Sequence, residues 1–174
     1  MMAESYRIGE HVSYSCNGVC LVADIRTDTP RGKEAPKTFY ILKPVADPGS
    51  TIFVPTTSET LLARMQRLPT QAEIDELILS TRGAELDWVE DRKVRMASFQ
   101  AALKACELRE LLRLVVCIYR HKHDLAGRGK KLSASDETTL RRAEGIIENE
   151  LSFVLQVPDD QVGSYIRQRL AVAE

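Results

Sequence analysis

Between Glu85 and Leu103 the chain reads ELDWVEDRKVRMASFQAAL, and Trp88 is its single tryptophan. Around it stand Glu85, Asp87, Glu90, Asp91, Arg92, Lys93 and Arg95. A large aromatic ring beside cations can do two things. On a helix starting near Trp88, at about 100° per residue, Trp88 shares a stripe with Arg92, Arg95 and Phe99. Val89, Met96 and Leu103 form the apolar stripe to one side. Trp88 could fold under the helix start as a hydrophobic staple with an arginine stacked on it. Alternatively it projects as an apolar wedge while Arg92, Lys93 and Arg95 hold phosphates, as in proteins that insert side chains between minor-groove base steps. A lone tryptophan usually serves a core, so the residues by themselves favour the staple and leave the wedge open.

A second set is RHKHDLAGRGKK, from Arg120 to Lys131. It gathers Arg120, Lys122, Arg128, Lys130 and Lys131 with two histidines and one aspartate, the densest basic run in the chain. Phosphate binding and a solvated helix end explain it equally well. Arg141 and Arg142 extend the run if the flanking helices form a hairpin. His121 and His123 are two residues apart, which points their rings away from each other on a helix, so they read as cations near a helix C-terminus. Gly127-Arg-Gly129 lacks the preceding strand of a phosphate loop. Cys16 and Cys20 have no second pair at zinc spacing. No nucleotide-binding, hydrolase or metalloprotease motif is present. The sequence thus predicts no enzyme, no cofactor, no metal and no small-molecule substrate.

Composition sets the frame for these sets. The 174 residues are 44% apolar and 28% charged, as in a globular protein, with a formal net charge of −1. Nucleic-acid binding would therefore have to come from a local patch. No apolar run is long enough to span a bilayer, and MMAESYRIGE is not built like a signal peptide. A cytoplasmic location without a membrane partner is expected, with the four cysteines as reduced apolar fillers.

The elements that must position these residues change period along the chain. HVSYSC and VCLVADIR alternate around the turn Asn17-Gly18; TFYILK and STIFVP follow as third and fourth strands. Four short strands with tight connections predict a small antiparallel β-barrel of SH3 or Tudor type over 1–58. From about residue 59 the period is helical. SETLLARMQRL reads as a short helix stopped by Pro69, and Thr70 with Glu73 caps QAEIDELILS. Further helices are expected from about Trp88 to Lys104, from Glu107 to Leu125, after Ser133, and after Pro158. The fold class is α+β in two domains: the barrel, then an all-α helical bundle over 59–174.

YRIGEHVSYSCNGVCLVADI resembles the opening of the CarD/CdnL family of bacterial transcription regulators, which the transcription-repair coupling factor shares. TFYILKPVADPGSTIFVPTTS is similar to that family's strand pair and turn, and the helical segments from Trp88 to Leu151 are similar to its C-terminal domain. The resemblance covers about Tyr6 to Leu155. It implies a Tudor-like domain that binds the RNA polymerase β-subunit lobe, with Ile25, Arg26, Asp28 and Phe53 at the contact. It also implies a helical domain on promoter DNA at the upstream edge of the bubble, where Trp88 wedges into the minor groove and stabilises the open complex. Trp88, Arg92, Lys93, Arg95, Arg120, Lys122, Lys130, Lys131, Arg141 and Arg142 are then the DNA-binding candidates. Where this chain has Asp28 and Phe53, some relatives carry arginine. The other reading is an adaptor of the same fold with no DNA contact.

Overall fold

The computed structural model describes residues 5–172, which divide into two compact units with the boundary between Leu68 and Pro69. The first holds β1 (His11–Tyr14), β2 (Val19–Asp28), β3 (Lys37–Pro44), β4 (Ile52–Pro55), the four-residue helix α1 (Glu59–Leu62) and β5 (Met65–Arg67). All pairings are antiparallel, in the order β4-β3-β2-β1-β5. Val12, Tyr14, Cys20, Val22, Tyr40, Leu42, Val54 and Met65 are buried together on one face, with Tyr6 laid over them. The Tyr6 hydroxyl donates to the Met65 carbonyl at 2.9 Å, and its ring meets Tyr40 edge-on at 5.9 Å.

This unit departs from the expected barrel in three ways. The sheet has five strands and is open: no ladder joins the edge strands β4 and β5, which are only four and three residues long. SETLLARMQRL is not one helix. Ser58 caps α1, accepting from Leu61 N–H, but the chain then extends and β5 pairs with β1. The boundary consequently falls after Leu68, ten residues beyond the expected position, because Met65 belongs to the sheet's core. Asn17-Gly18 does not make a two-residue turn either. Ser15–Asn17 form a turn of 3-10 helix, and Gly18 reverses the chain at φ +70°.

The second unit is helical: α2 (Gln71–Ser80), α3 (Arg92–Ala105), α4 (Leu108–Gly127), α5 (Ala134–Leu155) and α6 (Asp159–Val172). Its core joins Ile74 and Ile78, Phe99 and Leu103, Leu111, Leu114 and Ile118, Leu140, Ala143, Ile147 and Leu151, and Val162. These spacings of three and four put one stripe of each helix inward. Thr70 and Glu73 make the reciprocal capping box expected for α2. Tyr119 of α4 is exposed, and its hydroxyl donates to Glu144 on α5.

α3 starts at Arg92, four residues later than expected, because Asp91 caps it by accepting from Val94 N–H at 3.0 Å. Gly129, at φ +67°, closes α4 as Lys130 N–H reaches back to the Leu125 carbonyl at 2.8 Å. A Cβ at Gly129 would meet nothing within 4 Å, so conformation selects glycine there. The cysteines were expected to be apolar fillers; Cys20 and Cys117 are buried free thiols, whereas Cys16 and Cys106 are not free thiols.

Candidate functional site

Trp88 is not on a helix. It lies in the connection between α2 and α3, which α4 holds down at two points. The Arg113 guanidinium donates to the Ala84 carbonyl at 2.7 Å, and Arg120 pairs with Glu85. Within this frame the half-buried indole stacks on the His121 imidazole, with centroids 3.6 Å apart and planes 7° from parallel. The Arg95 guanidinium carbon lies 4.4 Å from the indole centroid. With imidazole on one face, the guanidinium takes the other. Phe99 meets the indole edge-to-face at 6.1 Å. Of the residues expected to share a helical stripe with Trp88, Arg95 and Phe99 gather around it, through tertiary packing, whereas Arg92 is exposed.

Arg95 is not a surface cation. Its side chain is 8% exposed, and Nε and Nη2 each donate to the Asp136 carboxylate at 3.2 Å. Nη1 donates to the carbonyls of Val89 at 2.7 Å and Glu90 at 3.2 Å. Four of the five N–H groups of a guanidinium are thereby engaged, so Arg95 is corrected from phosphate ligand to structural anchor. Asp136 is itself buried and closes a cap at the start of α5: Ser133 Oγ donates to Asp136 Oδ2 at 2.6 Å and accepts from Asp136 N–H at 3.2 Å. Asp136, Arg95, Trp88 and His121 form one connected cluster across α5, α3, the connection and α4.

The other candidates sort by what holds them. Arg92 and Lys93 are exposed in the first turn of α3 and make no ion pair among the described residues. Cations beside the positive end of a helix dipole each cost about 0.3–1 kcal/mol, so the fold gains nothing from them there. Lys122 pairs with Glu137 at 3.3 Å, Arg141 reaches the same carboxylate at 3.9 Å, and Arg120 is held by Glu85. Arg128, Lys130 and Lys131 at the α4–α5 turn, and Arg142 on α5, are exposed and have no ion pair among the described residues. At 1.5 Å per residue His121 lies roughly 9 Å along α4 from its end. Trp88 therefore occupies the same end of this unit as the basic turn.

On the sheet, one backbone irregularity decides what faces outward. The β2–β3 register shifts between Val22 and Asp24. This bulge reverses the alternation, so Asp24, Arg26 and Asp28 leave the core face while Ile25 falls opposite Tyr40 on it. Arg26, Asp28 and Phe53 share the outer face; Ile25 does not, although it lies near the end of the sheet and is 38% exposed. Phe53 is 56% exposed and meets Phe39 edge-on at 6.5 Å, and Arg26 lies 3.5 Å from Asp24. A shallow groove lined by Asp28, Pro30, Lys37 and Phe39 continues this face. Sequence reading missed Phe39, which the register places beside Arg26, between it and Pro55. It also missed His121, although Leu114, Ile118 and His121 follow the inward spacing of α4.

Among the described residues no group of three or more His, Cys, Asp or Glu is arranged to hold a metal ion, and no helix is long and apolar enough to cross a membrane. No curated protein matches the chain. Residues 6–68 match the family model described as the CarD-like/TRCF RID domain, a range that ends where the first unit ends. This family comprises RNA polymerase-interacting, transcription-associated domains, which act by protein interaction. The N-terminal unit is thus a CarD-like/TRCF RID domain by its match, and the match does not extend into the helical unit.

Proposed function

We propose that this protein is a transcription regulator that binds the RNA polymerase β-subunit lobe through the outer face of its sheet. Its helical unit then contacts promoter DNA at the upstream edge of the bubble and stabilises the open complex. The observation that carries this reading is Trp88, clamped on both faces at the end of the helical unit where Arg92, Lys93, Arg128, Lys130 and Lys131 have no ion pair among the described residues. Cations placed against a helix dipole and left unpaired beside an immobilised aromatic suit a phosphate backbone flanking a wedge. Both ring faces are covered, so the indole would enter the groove by an edge.

The mechanism needs little intrinsic DNA affinity. Polymerase binding raises the local concentration of the helical unit, which accommodates a chain with a net charge of −1. Promoter opening is then shifted by the difference in affinity for open and closed forms. Arg26, Asp28, Phe39 and Phe53 are the proposed polymerase contacts, with Ile25 at the rim.

The packing of Trp88 against His121 and Phe99 favours a second reading, in which the ring is only a staple and the protein is an adaptor without DNA contact. A photo-crosslinking residue placed at Lys93 or Lys131 separates the two. Crosslinks to promoter DNA near the upstream bubble edge, dependent on polymerase, are expected. Crosslinks confined to polymerase subunits would establish the adaptor instead.

A further inference from the structure

We propose that His121 is a positioning residue for Trp88, setting the pose in which the indole meets DNA; this rests on the wedge reading above. The imidazole lies parallel to the indole with ring centroids 3.6 Å apart, nearly face to face, and comes from the second half of a twenty-residue helix. The opposite face is closed by Arg95, which Asp136 and two backbone carbonyls hold in place. The two sides of the clamp differ in kind. Arg95 is buried in a network that also joins α3 to α5, so its loss disturbs the fold. His121 is only partly buried, and no hydrogen bond or ion pair from it is seen among the described residues. Among these, the specific contact of its ring is the stack on Trp88.

A connection between helices has no ladder of its own to fix a side chain, so the ring's orientation depends on what covers its two faces. Without the imidazole, one face of the indole is open to water and the ring gains other rotamers. A DNA-competent pose that is only fractionally populated weakens the apparent effect by that fraction. An aromatic stack of ordinary strength corresponds to a loss of about 2- to 12-fold in open-complex stabilisation. The ring requirement is for a flat aromatic of similar size, not for a charge.

Trp88 is the only tryptophan, so its emission reports the stack without polymerase or DNA. His121→Ala and His121→Phe are compared with wild type and Trp88→Ala in the full chain, by thermal melting, acrylamide quenching of Trp88, and competitor-challenged open-complex lifetime. The expected result is that His121→Ala melts cooperatively, exposes Trp88 to acrylamide and shortens the lifetime about 2- to 12-fold. His121→Phe should restore both properties. A lifetime for His121→Ala equal to wild type, while Trp88→Ala is short, overturns the proposal and leaves the wedge standing. Equal shortening by the Ala and Phe variants overturns it as well, since stacking is then not the cause. A Trp88→Ala lifetime equal to wild type removes the wedge itself, and the positioning role falls with it.

Discussion

Asp136→Ala is the sharpest perturbation of the Trp88 cluster. The carboxylate accepts from Arg95 Nε and Nη2 at 3.2 Å each, and the two side chains are 3% and 8% exposed. Removal leaves a guanidinium inside the unit with only the Val89 and Glu90 carbonyls as partners. Breaking one side of a buried, hydrogen-bonded pair costs about 3–5 kcal/mol, a large share of the stability of an ordinary domain. The Ser133 cap adds little to this loss, because the backbone N–H at position 136 survives the substitution. Urea denaturation followed by Trp88 emission and far-ultraviolet circular dichroism measures it. The native emission should also shift to longer wavelength as the connection loosens. The double variant Arg95→Met with Asp136→Leu should be more stable than either single change, because no charge is then stranded. A cost below about 1 kcal/mol for Asp136→Ala, with unchanged emission, would refute the claim that this pair anchors Trp88.

Other consequences are more local. Lys130→Glu with Lys131→Glu should weaken DNA association and flatten its salt dependence by roughly one logarithmic unit per lost phosphate contact, with melting nearly unchanged; an unaltered salt slope would take the basic turn out of the interface. Burial raises the Glu148 carboxyl above the usual range, with Glu144, Asp159 and Asp160 adding to the shift. The folded chain then holds a proton that the unfolded chain releases, so stability falls as pH rises through this interval. Glu148→Gln should raise the melting temperature at pH 7 and lose that advantage below about pH 4; the same gain at both would contradict the assignment. Burial pushes the Cys20 thiol up to about 11. In native protein at pH 8, peptide mapping should find Cys20 unlabelled by a thiol reagent that modifies it readily in urea, whereas fast native labelling would show an open sheet core.

The chain announced its periodic elements clearly, since alternation in β2–β4 and three-four spacing in α2, α4, α5 and α6 follow directly from which side chains must be buried. What escaped reading depends on partners far away in sequence. Three residues cannot declare themselves a strand, and Met65–Arg67 becomes β5 only by pairing with β1. The bulge at Ala23 is a register event, invisible in alternation, and it moved Ile25 to the other face. Arg95 looked like a surface cation because its counterion, Asp136, stands 41 residues on. Asp91 was the missed local signal, since an aspartate three residues before the Val94 N–H it accepts from caps a helix there and puts Trp88 outside it.

Whether Trp88 acts on opened promoter DNA and not merely on the fold is decided by the lifetime of competitor-challenged open complexes on a short-lived promoter, comparing wild type with Trp88→Ala once circular dichroism shows the variant folded. An edge-on aromatic contact of ordinary strength, about 0.5–1.5 kcal/mol, predicts a lifetime about 2- to 12-fold longer with wild type than with the variant. Equal lifetimes, with polymerase binding intact in both, would contradict the account and leave the indole as a staple between His121 and Arg95.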